Sequence, residues 1–340
     1  QVNLQDLLAQ LDEMDSLASL QPYWEESMAA LGDQTPPFLR PAAVLENRDW
    51  CALPPELDSI LLHAAGRIAA DPALRRLAWH CHALLYDHTD YRDEIKRWPP
   101  LRQALGELSG AFYLLICMAV AERVRAVHRA MGVSEDVTRE TCSAVAAMVA
   151  RYRREPGHPL GVHLSTAYWL RHHAAGRLFR LGRMEYMIRP SSGNVEVYRR
   201  REDGAVIALA RDGLRYNRDG YMDARGDAAG EQDGWAATLV AAGKTITGYP
   251  ISPYGMAIRR QVQLESALWE LVFRQGDAVL EMHIPDGGGM SLDRCIDSMR
   301  RAAPFFQHYF PAEPFKAIVC GSWILNNQLQ DIPLSSDNLA

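Results

Sequence analysis

The sequence predicts an α+β protein, with an all-α domain over residues 1–175 and a mixed α/β domain over residues 176–340. Three observations predict it. Apolar residues recur every three or four positions as far as Gly176, which is the period of one helix face. Beyond Gly176 the period falls to two, as side chains alternate across a strand. Between Ala278 and Cys320 the order strand, glycine turn, helix, strand can be read directly.

The first helical stripe is Leu4, Leu7, Leu8, Leu11 and Met14, and a proline-rich link follows from Thr35 to Pro41. Pro54-Pro55 opens a helix carrying Leu57, Ile60, Leu61, Ala64 and Ile68. Asp71-Pro72 has the residue types of an N-cap and first helical position for the next, through Leu74, Leu77 and Leu84. A long apolar helix is expected from Ala104 to Met131, ended by Gly132, with Ser134 capping its successor. A further helix runs from Leu164 to Ala174. In the second half, Leu178–Ile188 reads as one strand, and Val195–Arg199 and Ala205–Ala210 flank an Asp203-Gly204 turn. Gly226–Gly234 reads as a polar surface loop and the place to expect disorder. Thr245–Ile251 reads as a strand and part of Ala257–Phe273 as helix. Ala278–Ile284 is the clearest strand, Ser291–Phe306 the clearest helix, and Ala317–Cys320 a last short strand.

Composition excludes several classes. Hydrophobic residues make up 48% and charged residues 23%, an ordinary globular balance. The net charge of −6 gives no global attraction to nucleic acid. No unbroken apolar run reaches the ~18 residues that span a bilayer, so no membrane partner is expected. No basic-then-apolar leader opens the sequence. The six cysteines form no CxxC pair and sit in apolar context, as expected of reduced thiols in a cytoplasmic protein.

The stretch GDAVLEMHIPDGGGMSLDRCIDSMRRAAPFF, Gly276 to Phe306, carries the densest chemistry. Alternation puts Val279, Glu281, His283 and Pro285 on one face and Leu280, Met282 and Ile284 on the other. Glu281 and His283 are two residues apart on a strand, ~7 Å at the backbone, so both can serve one substrate. Either can accept a proton from an amine or alcohol. Pro285 ends strand pairing, and Gly287-Gly288-Gly289 lets backbone N–H groups approach a ligand. Ser291 is a natural N-cap. The junction reads as an anion site or as a plain glycine turn before a capped helix; Asp286 and Asp293 count against strong phosphate binding. Ser322 and Trp323 follow the last short strand and would lie beside the His283 strand if the two are neighbours.

The same residues carry a family resemblance. GDAVLEMHIPDGGGMSLDRCIDSMRRAAPFFQHYFPAEPFKAIVCGSWIL, with its HIP…G, FF…FP…PF and C.SW.L pieces, resembles the GNAT-like C-terminal domain of a bacterial family of acyltransferase-domain proteins. GRLFRLGRMEYMIRP, Gly176 to Pro190, is similar to the first strand of that domain. HALLYDHTDY, His82 to Tyr91, is more loosely similar to the helical N-acyltransferase N-terminal domain that precedes it. The resemblance implies a mixed sheet splayed between its central strands, with the acyl thioester in the splay. It implies Ala278–Ile284 as the fourth strand and Ala317–Cys320 as the fifth, with about two more strands beyond. The acyl donor, acyl-CoA or a phosphopantetheine-linked acyl carrier protein, would meet Ile284, Gly287, Gly288, Gly289, Met290 and Ser291. His283 or Glu281 would deprotonate a small-molecule amine, and Ser322 joins the catalytic candidates. Trp323, Tyr249 and Tyr254 could line the acceptor pocket or be core aromatics. The chain departs from the family in two respects. Its loop has no basic residue before Arg294, where the usual loop begins with Arg or Gln. That leaves open a carrier-linked donor, or a shell that binds without chemistry. Only residues 324–340 remain for the two further strands, so either the C-terminus is cut or the fold is incomplete, and a missing tail is the expectation.

Other clusters read as structural. His80, His82, Asp87, His88 and Asp90 resemble metal ligands, but residues two apart on a helix face different ways, so no metal is expected. Arg151–Arg154 and Arg199–Arg201 read as solvated faces, or as docking sites for an acidic carrier protein or RNA.

Overall fold

A computed structural model describes residues 3–325 apart from 33, 89, 158 and 224–232. The chain forms two compact units: Gln1–Tyr186 with Ile284–Ala302, and Met187–His283 with the chain from Ala303. The expected disordered loop at Gly226–Gly234 falls almost wholly outside the described residues, and so does the tail 326–340 where further strands were expected.

The first unit is mainly helical. Helices Asp58–Ala70, Pro72–Tyr86 and Ser109–Met118 pack around Leu61, Leu74, Leu77, Leu84 and Phe112, all at 2% exposure or less. The Asp71 carboxylate accepts from the N–H groups of Ala73 and Leu74 at 2.8 and 3.2 Å, satisfying two orphan donors at that helix start. Ser134 accepts from Val137 N–H at 3.5 Å, and Gly132 closes the preceding helix at φ +77°. The long helix expected from Ala104 is instead divided into Ser109–Met118 and Val120–Met131. The stretch 102–131 is long and apolar enough to cross a bilayer by length and composition, and 67% of its most apolar window is buried inside the protein. Gly110 sets the close packing here: a Cβ on it would lie 1.9 Å from the Leu160 carbonyl oxygen.

Among the described residues twelve strands follow: β1 (Phe179–Leu181), β2 (Met184–Pro190), β3 (Val195–Arg200), β4 (Val206–Ala210), β5 (Arg215–Tyr216) and β6 (Trp235–Ala236). Then come β7 (Val240–Ala242), β8 (Thr245–Gly248), β9 (Val262–Glu265), β10 (Trp269–Phe273), β11 (Ala278–His283) and β12 (Ile318–Val319). The strand expected over Leu178–Ile188 is a hairpin, because Gly182 takes φ +69° and turns the chain between β1 and β2. The helix expected within Ala257–Phe273 is two strands. The alternation of Val262 and Leu264 outweighs the helical spacing, and Ile258 and Leu268, which the helix would have needed inside, are 46% and 47% exposed.

The principal sheet has the order β1-β2-β11-β12. Residues 191–277 leave it after β2 and return at β11, building smaller sheets ordered β10-β3-β4, β7-β8-β9 and β5-β6. This excursion has cores of its own. One gathers Tyr216, Trp235 and Ala257, the other Tyr198, Leu209, Ile246 and Leu264. Helix Leu292–Tyr309 follows β11 and runs past Pro304.

Candidate functional site

Two candidate residues of the second unit, Glu281 and His283, lie at the end of β11. β11 and β12 are parallel, paired at Leu280 with Ile318 and Glu281 with Val319. The Leu280 N–H donates to the Ala317 carbonyl at 2.9 Å. The pairing with β12 ends at Glu281, while β11 continues two residues to His283 with β2 on its other side. The expected neighbouring strands are therefore present.

Glu281 and His283 are brought together at the C-terminal end of β11. His283 Nε2 lies 3.4 Å from Glu281 Oε2, and Arg189 Nη1 of β2 lies 3.5 Å from the same oxygen. That oxygen is shielded from solvent and has no hydrogen-bond partner of good geometry among the described residues. The carboxylate thus faces two nitrogens at ion-pair range while keeping lone pairs for a closer donor. Both side chains remain partly open, at 33% and 25% exposure, while the facing atoms Glu281 Oε2 and His283 Nε2 are themselves shielded from solvent. Of the two faces expected for this strand, the division is incomplete: Val279 is buried at 3% beside the fully buried Leu280.

Ser322 is half-buried, and its Oγ accepts from the Ile324 N–H at 3.4 Å at the start of a short 3₁₀ turn, Trp323–Leu325. The Trp323 ring lies outside the described structure. Tyr249 packs on Trp235, ring centroids 4.8 Å apart, against one of the small cores of the excursion. Tyr254 is 73% exposed in a turn.

Cys320 is half-buried, and burial together with the Glu281 charge raises its thiol pKa, which disfavours a thiolate nucleophile. Burial also lifts Cys117 and Cys142 to about 12.

The glycine loop belongs to the first unit. Gly287, Gly288 and Gly289 all lie in the left-handed region, at φ +76°, +80° and +67°. A side chain would be strained at each, so three consecutive glycines are a requirement of this backbone. Ile284 and Met290 are half-buried and Ser291 is exposed; the Ser291 carbonyl accepts the first helical bond, from Cys295 N–H at 3.1 Å.

Arginines from elsewhere in the chain hold this loop. Arg183, in the β1–β2 turn, is only 4% exposed; its Nη1 donates to the Pro285 carbonyl at 2.9 Å and its Nε to the Gly289 carbonyl. Burial, then Arg180 and Arg294, lower its pKa, which marks a crowded positive region. Arg294 donates to the Gly288 carbonyl. Arg151 Nη1 and Arg154 Nη2 each meet one oxygen of Asp286, at 3.2 and 3.0 Å. Basic side chains thus reach the loop from positions over a hundred residues away, which loop spacing could not reveal.

The candidate metal cluster is taken up by packing. His80 is fully buried between Ser27 Oγ at 2.9 Å and the Leu20 carbonyl at 2.7 Å, and His82 stacks on Phe38 and Trp79. Among the described residues no group of three or more His, Cys, Asp or Glu could hold a metal ion.

Comparison with known proteins gives two family matches, one to each side of residue 177. Residues 45–176 match the N-acyltransferase N-terminal domain family, and residues 178–340 match the GNAT-like C-terminal domain family. No curated protein matches the chain. Three crystal structures of acyltransferases superpose on 99% of this chain and 78% of theirs at 19% identity. They are a complex with decanoyl-CoA and teicoplanin (TM-score 0.58), a complex with CoA and 10C-teicoplanin (0.60), and a mutant with octanoyl-CoA (0.61). With both domain families matched in sequence order, the chain belongs to the acyltransferases that join an N-acyltransferase N-terminal domain to a GNAT-like C-terminal domain.

Proposed function

We propose that this enzyme moves an acyl group from acyl-CoA to the amine of a small molecule by direct attack, without an acyl-enzyme. The observation that carries this reading is the pair of Glu281 and His283, 3.4 Å apart at the C-terminal end of β11, just before the glycine loop in sequence. The amine nitrogen attacks the thioester carbonyl carbon, His283 accepts the amine proton, and the carbon–sulfur bond breaks to release a thiolate that is reprotonated. Glu281 holds the imidazolium that forms and selects the ring tautomer. In this reading the backbone at Ile284 holds the thioester, and Gly287 to Ser291 meet donor phosphate.

CoA rather than a carrier-linked donor is favoured by the arginines gathered at the loop. The structural neighbours, solved with decanoyl-CoA, octanoyl-CoA, CoA and teicoplanin, support an acyl-CoA donor and a small-molecule acceptor. The free cysteines fit a reducing compartment such as the cytoplasm.

Native mass spectrometry with CoA, octanoyl-CoA and 4′-phosphopantetheine, followed by an amine-acceptor screen, tests the reading. Retention of the CoA species is expected. His283→Ala should cut kcat by ~10²–10⁴-fold with the fold and CoA affinity intact, the scale of a lost general base. Full turnover in that variant would exclude His283 as the base. No retention of any donor would leave only a shell that binds without chemistry.

A further inference from the structure

We propose that Arg151 and Arg154 are a phosphate-recognition pair for the nucleotide part of the donor, and that Asp286 is an internal anion which the donor displaces. The proposal rests on the acyl-CoA reading above and assigns residues to the discrimination between free CoA and a carrier-linked donor.

Four features converge. First, each arginine contacts a separate oxygen of Asp286 through a single bond, at 3.2 and 3.0 Å, with the guanidinium groups 53% and 59% exposed. Exposed single-contact ion pairs are worth little and exchange readily. A phosphate offers more charge and bidentate geometry to the same donors, so exchange favours the phosphate. Second, Asp286 opens the glycine loop, whose three left-handed residues leave its backbone free of side chains. Third, Arg183 hydrogen-bonds to carbonyl oxygens of that loop and has no carboxylate in direct contact among the described residues; Asp286 is the carboxylate whose charge acts on it. Fourth, Arg294 also spends its bond on a loop carbonyl. When Asp286 is set aside, the loop presents an excess of positive charge, and this is the environment for a polyanion. In the empty enzyme Asp286 keeps both arginines ordered at the loop, and during turnover it competes for them as the product CoA departs.

The pair separates donors by phosphate number. CoA carries a pyrophosphate and a 3′-phosphate, whereas a carrier-linked arm carries one phosphodiester and pantetheine none. Isothermal titration of the full chain with CoA, dephospho-CoA, 4′-phosphopantetheine and pantetheine measures this, with thermal unfolding as a check on folding. The Arg151→Gln/Arg154→Gln variant should weaken CoA by ~10-fold or more, the scale of a lost charge-assisted hydrogen bond, and leave pantetheine unchanged. The dependence of affinity on salt should flatten in the same variant. Asp286→Asn should act oppositely, binding CoA several-fold tighter and raising product inhibition. Equal losses for CoA and dephospho-CoA place the pair on the pyrophosphate, and a loss confined to CoA places it on the 3′-phosphate; both support the proposal. If the double variant binds CoA as the wild type does, the pair is excluded and the acyl-CoA reading stands. If Asp286→Asn weakens CoA as much as the arginine variant, Asp286 is a structural strut and the exchange is overturned. If wild type binds none of the phosphorylated donors, both readings fall together.

Discussion

At the scale of single residues, burial decides which titratable groups do chemistry. His80, His82 and His128 lie in the helical unit, and burial lowers their pKa values to about 4, 3 and 4. Each stays neutral in the fold where its unfolded counterpart, near 6.5, takes up a proton. The unfolded chain therefore binds more protons between pH ~6.5 and ~4, and stability should fall as pH drops through that window. Urea melts across the window should show a shallower fall for His82→Phe, since Phe keeps the stack on Phe38 and Trp79 and cannot charge. An unchanged slope would mean that His82 contributes nothing to the acid limb. Glu281 and His283 differ from these core histidines in being partly open and paired with one another.

At the scale of elements, the glycines divide by what each neighbour permits. Gly66 is exposed inside helix Asp58–Ala70 with nothing within 4 Å of a built Cβ. Gly66→Ala should stabilise by ~0.5–1 kcal/mol, because alanine loses less backbone freedom on folding. Gly110 sits in helix Ser109–Met118 against the Leu160 carbonyl, 1.9 Å from where a Cβ would lie. Gly110→Ala should destabilise by ~1–3 kcal/mol or more, since backbone has to move. Chemical melts of the two variants check both signs. The sequence displays both glycines inside apolar helical runs and gives no means of telling them apart, because the Leu160 contact is tertiary. The β1–β2 hairpin shows a similar limit. LFRLGRMEYMI alternates well enough to read as one strand, and only the left-handed Gly182 reveals the turn that carries Arg183 to the loop.

At the scale of the whole molecule, the six cysteines are all free, five buried and Cys320 half-buried. A thiol reagent applied to the native enzyme should modify Cys320 first and slowly, since its pKa is raised, and reach all six only after denaturation. Rapid labelling of several thiols at native conditions would contradict the burial described here. Local pattern also determined most of the architecture. The helical period specified the first half, its caps at Asp71 and Ser134 and its stop at Gly132, because those signals act within a few residues. The strand–glycine–helix–strand order specified β11, the loop, the helix Leu292–Tyr309 and β12, and alternation placed Glu281 and His283 on one face. Only the tertiary structure decided that β9 and β10 are strands, that Tyr249 packs into a small core, and that Arg151, Arg154 and Arg183 reach the glycine loop. The physical reason is range. Caps, turns and periodicity are set by near neighbours along the chain, whereas the charge around the loop is set by residues that only folding brings within 3–4 Å of it.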